Sequence, residues 1–207
     1  MAETSNLHQL LDTYLSELIA AGSSIASYLS EATHSEDYVR SRLDESGLLD
    51  LDEVVEFFTW RSFLPSRWLG GPDHYEFFYE DTSPLSIDAA IELRKANVEM
   101  IDPDYVNAWP GDATWLPIAV QDWSEFMAVD CGPGEGAGSV WHVFTQTTNV
   151  KMFDTLGEAI EAATFCLQAG LWTCEGRYVQ CERRLQPLEA DIANPPWMGF
   201  EGDLTNP

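Results

Sequence analysis

Trp115-Leu-Pro-Ile-Ala-Val120, Glu125-Phe-Met-Ala-Val-Asp130, Ser139-Val-Trp-His-Val-Phe-Thr145 and Val150-Lys-Met-Phe153 are four short apolar runs in close succession. Each is rich in β-branched and aromatic residues, follows a period of two, and is closed by a polar or glycine-bearing turn. That pattern predicts an antiparallel meander. It decides the fold class, because the segments on either side read differently.

Before the meander the chain is helical. Leu7, Leu10, Leu11, Tyr14, Leu15, Leu18 and Ile19 recur at the spacing of one helical face. Ser5 is placed to start that helix and Gly22 to end it. Ile25, Tyr28 and Leu29 predict a short second helix. Ser35 offers an N-cap to a third, with Glu36 and Asp37 in its first turn and Gly47 as its stop. Asp50 and Glu53 have capping-box spacing ahead of Val54, Val55 and Phe58. His74-Tyr-Glu-Phe-Phe-Tyr79 predicts a short strand, and Ser86 caps a helix from Ile87 to about Asn97. After the meander, Thr155 and Glu158 form a second capping box for a helix that ends at Gly170. Arg177–Glu182 predicts a last strand.

Helices, a strand, a helix, a meander and a helix in that order give an α+β fold. The expectation is a largely antiparallel mixed sheet of about five or six strands flanked by helices, with an N-terminal helical segment. Residues 1–185 form one domain on this reading, and 186–207 an extended proline-containing tail.

Charge bounds the function. Thirty-five Asp and Glu face ten Lys and Arg, a formal net charge of −25, while 45% of residues are hydrophobic. Disordered acidic tails lack that apolar content, so a folded body with an acidic surface is expected. Such a surface repels nucleic acid and anionic membrane and attracts basic proteins. The basic residues are dispersed, with only four before Arg94, all arginine, so no patch for nucleic acid forms. No run reaches the ~18–20 apolar residues that span a bilayer. The N-terminus lacks the basic start of a signal peptide. The cysteines show no CxxC, which suits the cytoplasm. Cys174 and Cys181 sit within reach of each other across a hairpin, which leaves a bridge open.

Catalytic motifs are weak. Cys131-Gly-Pro-Gly-Glu-Gly-Ala-Gly138 alternates glycines but leads into a strand, without a lysine and with Glu135 in place to repel phosphate. It reads as a flexible connection. His8, His34, His74 and His142 are scattered, so no metal or cofactor is expected. His142 alternates with Val140 and Phe144, as a hydrogen-bonded, half-buried residue would. No GxSxG elbow is present, and Cys166 falls on an apolar helix as core. A carboxylate-pair hydrolase is an alternative in so acidic a chain, though no spacing singles out a pair.

Two acidic stretches stand out as partner-binding candidates. Asp44, Glu45, Asp50, Asp52, Glu53 and Glu56 have no cation among them. Asp73, Glu76, Glu80 and Asp81 interleave with Tyr75, Phe77, Phe78 and Tyr79. Aromatics beside carboxylates suit a surface for a basic partner, and equally suit a half-buried strand. Asp44, Glu45, Asp52, Glu56, Asp73, Tyr75, Glu76 and Glu80 are the candidate contacts.

The order of motifs resembles the SUKH superfamily. Trp115-Leu-Pro-Ile-Ala-Val120, Asp122-Trp-Ser-Glu-Phe-Met-Ala-Val-Asp130, the glycine-bearing loop and Ser139-Val-Trp-His-Val143 match its strand motifs in sequence. Asp81-Thr-Ser-Pro-Leu-Ser86 and the helix after it match its preceding segment, and Thr155–Gly170 its following helix. The likeness covers roughly residues 35–172. It departs at Gln121-Asp122-Trp123-Ser124, where the family often has a glycine turn, and at both ends. The resemblance implies an α+β fold, no catalysis, and the role of a bacterial immunity protein that binds and neutralises a cognate toxin, often a basic nuclease. Fungal relatives, regulators of cell-wall synthesis through protein contacts, make a regulatory scaffold the alternative.

Overall fold

A computed structural model describes residues 7–64, 75–78, 82–99, 113–122, 125–144 and 149–181. Helix α1 spans Leu7–Ala20 and buries Leu7, Leu11, Tyr14, Leu15 and Leu18 of the predicted stripe, while Leu10 is half-buried and Ile19 is exposed at its edge. The segment Ile25–Tyr28 forms a single turn of 3₁₀ helix rather than an α-helix, and it runs into a two-residue strand β1, Leu29–Ser30. Helix α2, Glu36–Glu45, starts where Ser35 Oγ accepts the Tyr38 N–H at 3.3 Å. It ends at Gly47, whose φ of +69° is the left-handed turn-off that glycine adopts freely.

Helix α3, Asp52–Trp60, corrects the expected capping box. Its N-cap is Leu51, which offers no side-chain acceptor, so neither Asp50 nor Glu53 caps this helix. Strand β2, Ser62–Phe63, pairs antiparallel with β1. The predicted strand at 74–79 does not form over its described part, Tyr75–Phe78. The Glu76 N–H bonds to the Arg177 carbonyl and the Phe77 N–H to the Thr82 carbonyl, so neighbouring amides go to different segments and no ladder develops. Strand β3 is Ser83–Pro84, and α4 spans Ile87–Glu99, with Ser86 Oγ accepting the Ala89 N–H.

The meander forms as predicted. Strands β4 (Trp115–Asp122), β5 (Glu125–Asp130), β6 (Val140–Phe144) and β7 (Val150–Phe153) join β3 in a five-stranded sheet of order β3-β4-β5-β6-β7, antiparallel throughout. Leu116 to Val120 and Phe126 to Val129 are buried at every position, so the central strands are covered on both faces. Helix α5, Leu156–Gln168, begins at Thr155, whose Oγ1 accepts the Glu158 N–H at 3.1 Å. Glu158 reaches back to the Asp154 N–H at 3.0 Å, a capping box displaced by one residue. Strands β8 (Trp172–Glu175) and β9 (Tyr178–Cys181) form a separate hairpin. Its register sets Cys174 opposite Val179 and Cys181 opposite Trp172, and Cys174 is a free thiol, so the open cysteine pairing is not made.

One core runs from Leu7 to Val179. Its aromatic centre joins elements distant in sequence. Tyr14 of α1 meets Phe77 edge-on at 5.2 Å, and Phe57 of α3 stacks on Phe78 at 6.1 Å. The Tyr14 hydroxyl donates to the carbonyls of Phe77 and Phe78. This fixes the irregular 75–78 segment against α1 without a sheet.

Candidate functional site

The two acidic stretches have different fates. In the first, the acids at the start of α3 turn inward. Glu53 Oε2 accepts the N–H groups of Leu156 at 2.9 Å and Gly157 at 3.3 Å, at the start of α5. Glu56 Oε2 accepts the Leu7 N–H at 2.7 Å, at the start of α1. A helix N-terminus carries unpaired amides and partial positive charge, so a carboxylate there is stabilised. One turn of α3 thus caps two other helices. Glu56 was a candidate contact; its carboxylate is instead committed to α1. Burial pushes the Glu53 carboxyl above its ordinary range, and Glu56 and Glu158 add to that push, against the pull of the two amides.

The second stretch is largely interior. Tyr75 is fully buried, and Glu76 is 3% exposed with its carboxylate accepting the Val179 N–H at 2.6 Å. Both were expected at a partner surface and both hold the core instead. Glu76 ties the 75–78 segment to β9, and Tyr75 stacks on Tyr28 at 4.7 Å. Asp73 and Glu80 lie outside the described residues.

What remains outside is a face built on α2 and the starts of α3 and α4. Glu36, Asp37, Asp44 and Glu45 are exposed on α2, Asp50 and Asp52 lie before and at the start of α3, and Asp88 opens α4. Two arginines of α2 thread these acids together. Arg40 binds Asp50 and Asp52, each at 2.9 Å. Arg42 binds Glu45 at 2.9 Å and Asp88 at 3.0 Å. The cations missing from the linear acidic run therefore come from the preceding helix. Seven carboxylates against two guanidiniums still leave the face strongly negative. Asp52 stays 76% and Asp50 57% exposed in their ion pairs, so their outer oxygens remain available to a second cation.

Tyr38 stands in this face. It stacks on His34 at 4.6 Å and donates its hydroxyl to both Asp88 oxygens at 3.0 Å. That hydrogen bond holds its phenol above the ordinary value. Sequence reasoning missed this His34–Tyr38–Asp88 link. Its only local signal is the i, i+4 spacing of His34 and Tyr38; Asp88 is fifty residues away.

The rest of the chemistry is structural. The glycine loop is braced by Asp130, whose Oδ1 accepts the Gly132 N–H at 2.8 Å and the Thr114 hydroxyl at 3.0 Å, and it leads into β6. His142 is buried, with Nε2 at 2.7 Å from Glu125 on the neighbouring strand. His8 Nε2 meets the Glu56 carbonyl at 2.8 Å. Cys166 is core, and burial pushes the Cys131 thiol up to about 12, far from a thiolate nucleophile at neutral pH. Among the described residues no group of three or more His, Cys, Asp and Glu is arranged to hold a metal. No helix among them is long and apolar enough to cross a membrane.

No family model matches this chain, and no curated protein matches it.

Proposed function

We propose that this protein is a non-enzymatic immunity protein of the bacterial cytoplasm that neutralises a cognate basic toxin, a nuclease as the resemblance implies, through direct binding. The observation that carries this reading is the face on α2 and the starts of α3 and α4, where two arginines pair with four of seven exposed or half-exposed carboxylates and leave the rest unbalanced. A folded body that keeps such a surface bears self-repulsion, and a cationic partner relieves it. Long-range attraction raises the encounter rate and selects the partner by sign of charge. Closer contacts then set the off-rate.

Asp44, Glu45 and Asp52 are the contact acids of this reading, together with Glu36, Asp37 and Asp50. The test is co-expression with the product of the adjacent gene, followed by co-purification and a growth-rescue assay. Rescue that is lost when Asp37 and Asp44 are both replaced by lysine supports the proposal. A neighbour that is no toxin, or rescue indifferent to those charges, rejects it. In the first case a regulatory scaffold using the same face becomes the better account.

A further inference from the structure

Beside the acidic face lies a cleft of about 230 Å³. Its floor is apolar, formed by Phe58 at the end of α3, Phe63 of β2, and Leu85 and Ile87 at the start of α4. Leu64 stands on its rim and is 47% exposed, one of the most exposed large apolar side chains among the described residues. The rim is otherwise short and polar. Thr33 and Ser62 close one side through a hydroxyl contact of 2.7 Å, and Ser30 stands open next to it. Arg61, the cation on this wall, is turned aside. Its guanidinium lies 5.2 Å from the Trp60 ring centroid and reaches Asp12 at 3.5 Å.

The cleft and the acidic face are continuous. His34 lines the cleft and stacks on Tyr38, Tyr38 binds Asp88, and Glu36 and Asp37 follow directly on α2. An apolar slot with a short polar rim that adjoins a carboxylate-rich face is complementary to one kind of ligand. We propose that this cleft receives an aromatic or large aliphatic side chain from a protein partner, flanked on that partner by lysine or arginine residues that meet the α2 and α4 acids. The inference rests on the proposed function and specifies how its partner is gripped. Interfaces draw most of their energy from a few anchors seated in desolvated pockets, while rim charges chiefly set encounter and register. The slot suits the first role and the acids suit the second.

The test uses three synthetic peptides and the full chain: Lys-Lys-Trp-Lys-Lys, Lys-Lys-Ala-Lys-Lys and Glu-Glu-Trp-Glu-Glu, titrated by NMR at low salt. The tryptophan peptide with lysines is expected to bind about tenfold more tightly than its alanine counterpart, the difference that burying part of a large ring supplies. Its shifts should centre on Ser30, Leu64 and Ile87. Ser30→Trp, which fills the slot from its exposed edge, should abolish the tenfold difference and leave the weaker, salt-sensitive binding. Leu64→Asn, a milder change, should reduce the difference and guards against misfolding of the first variant. Equal binding of both lysine peptides overturns the anchor while leaving the acidic-face reading intact. If neither lysine peptide binds better than the glutamate peptide, both readings are overturned.

Discussion

Glu53 Oε2 of α3 sits 2.9 Å from the backbone nitrogen of Leu156, so a residue in the first third of the chain caps a helix that starts 103 residues later. The same helix places Glu56 on the Leu7 amide. Because the two acids are three residues apart, they lie on one face of α3, and α1 and α5 both bring their N-terminal ends to it. The helical layer is tied at one point by electrostatics as well as by packing.

Replacing Glu53 with Ala should therefore destabilise the protein by about 1 kcal/mol, the usual loss for a helix cap. Glu53→Gln keeps an acceptor and should cost less. The pH dependence has an unusual sign. The folded state holds this carboxyl above its ordinary value, so folding favours the protonated form. Its contribution to stability grows as pH falls from above the raised value to below the ordinary one, and is lost as pH rises through that window. Chemical unfolding of the wild type and Glu53→Gln at about pH 7 and about pH 5 checks this. The wild type should gain relative to the variant at the lower pH.

The Tyr14 hydroxyl is buried and donates to the carbonyls of Phe77 and Phe78. Tyr14→Phe keeps the ring against Phe77 and removes only that donor. The expected cost is about 1–2 kcal/mol, since two buried carbonyls lose a partner. Urea unfolding should show a lower midpoint with an unchanged slope. A variant as stable as wild type would remove this link between α1 and the 75–78 segment.

Two glycines should fail for different reasons. At Gly47, φ is +69° and a Cβ would meet nothing within 4 Å, so Gly47→Ala carries only the left-handed backbone penalty of about 1 kcal/mol. At Gly132 a Cβ would lie 2.6 Å from Thr114 Oγ1 and 2.8 Å from Thr114 Cβ. Thr114 is β-branched and bonded to Asp130, so it yields poorly. Gly132→Ala should cost about 1–3 kcal/mol, as overpacking does, and disturb the β5–β6 connection. Thermal melts of both variants, with amide shifts of residues 130–139, separate the two cases.

Net charge should show in the salt response. With a formal charge of −25, self-repulsion opposes folding and is screened over a Debye length of about 10 Å at 0.1 M salt. Raising NaCl from about 10 to about 150 mM should therefore raise Tm. Removing Arg40, which links Asp50 and Asp52 on the exposed side, should cost under about 1 kcal/mol at physiological salt and more at low salt. A Tm that falls with salt would contradict the repulsion.

Much of the secondary structure was legible because its determinants are local. The stripe from Leu7 to Leu18 lies within one helix, and Ser35, Ser86 and Thr155 cap the amides that follow within three residues. The four meander runs carry both their β-forming residues and their turns. The failed assignments share a cause. The 75–78 segment has strand-like composition, but a strand also needs a neighbour in register, and its amides find two different ones. Asp50 and Glu53 have the spacing of a capping box, but Arg40 and the α5 amides hold them elsewhere.

The sequence by itself determined that this is an acidic, aromatic-rich α+β protein with its meander between helices, because periodicity, caps and net charge are sums over near neighbours. Only the tertiary structure decided which acids are surface and which are structure. Glu53, Glu56 and Glu76 are held by amides 103, 49 and 103 residues away. Asp44 stays in water, and the cleft beside α2 exists only where α3, β2 and α4 converge. A carboxylate's role depends on the donor that points at it, and that donor is brought by the fold.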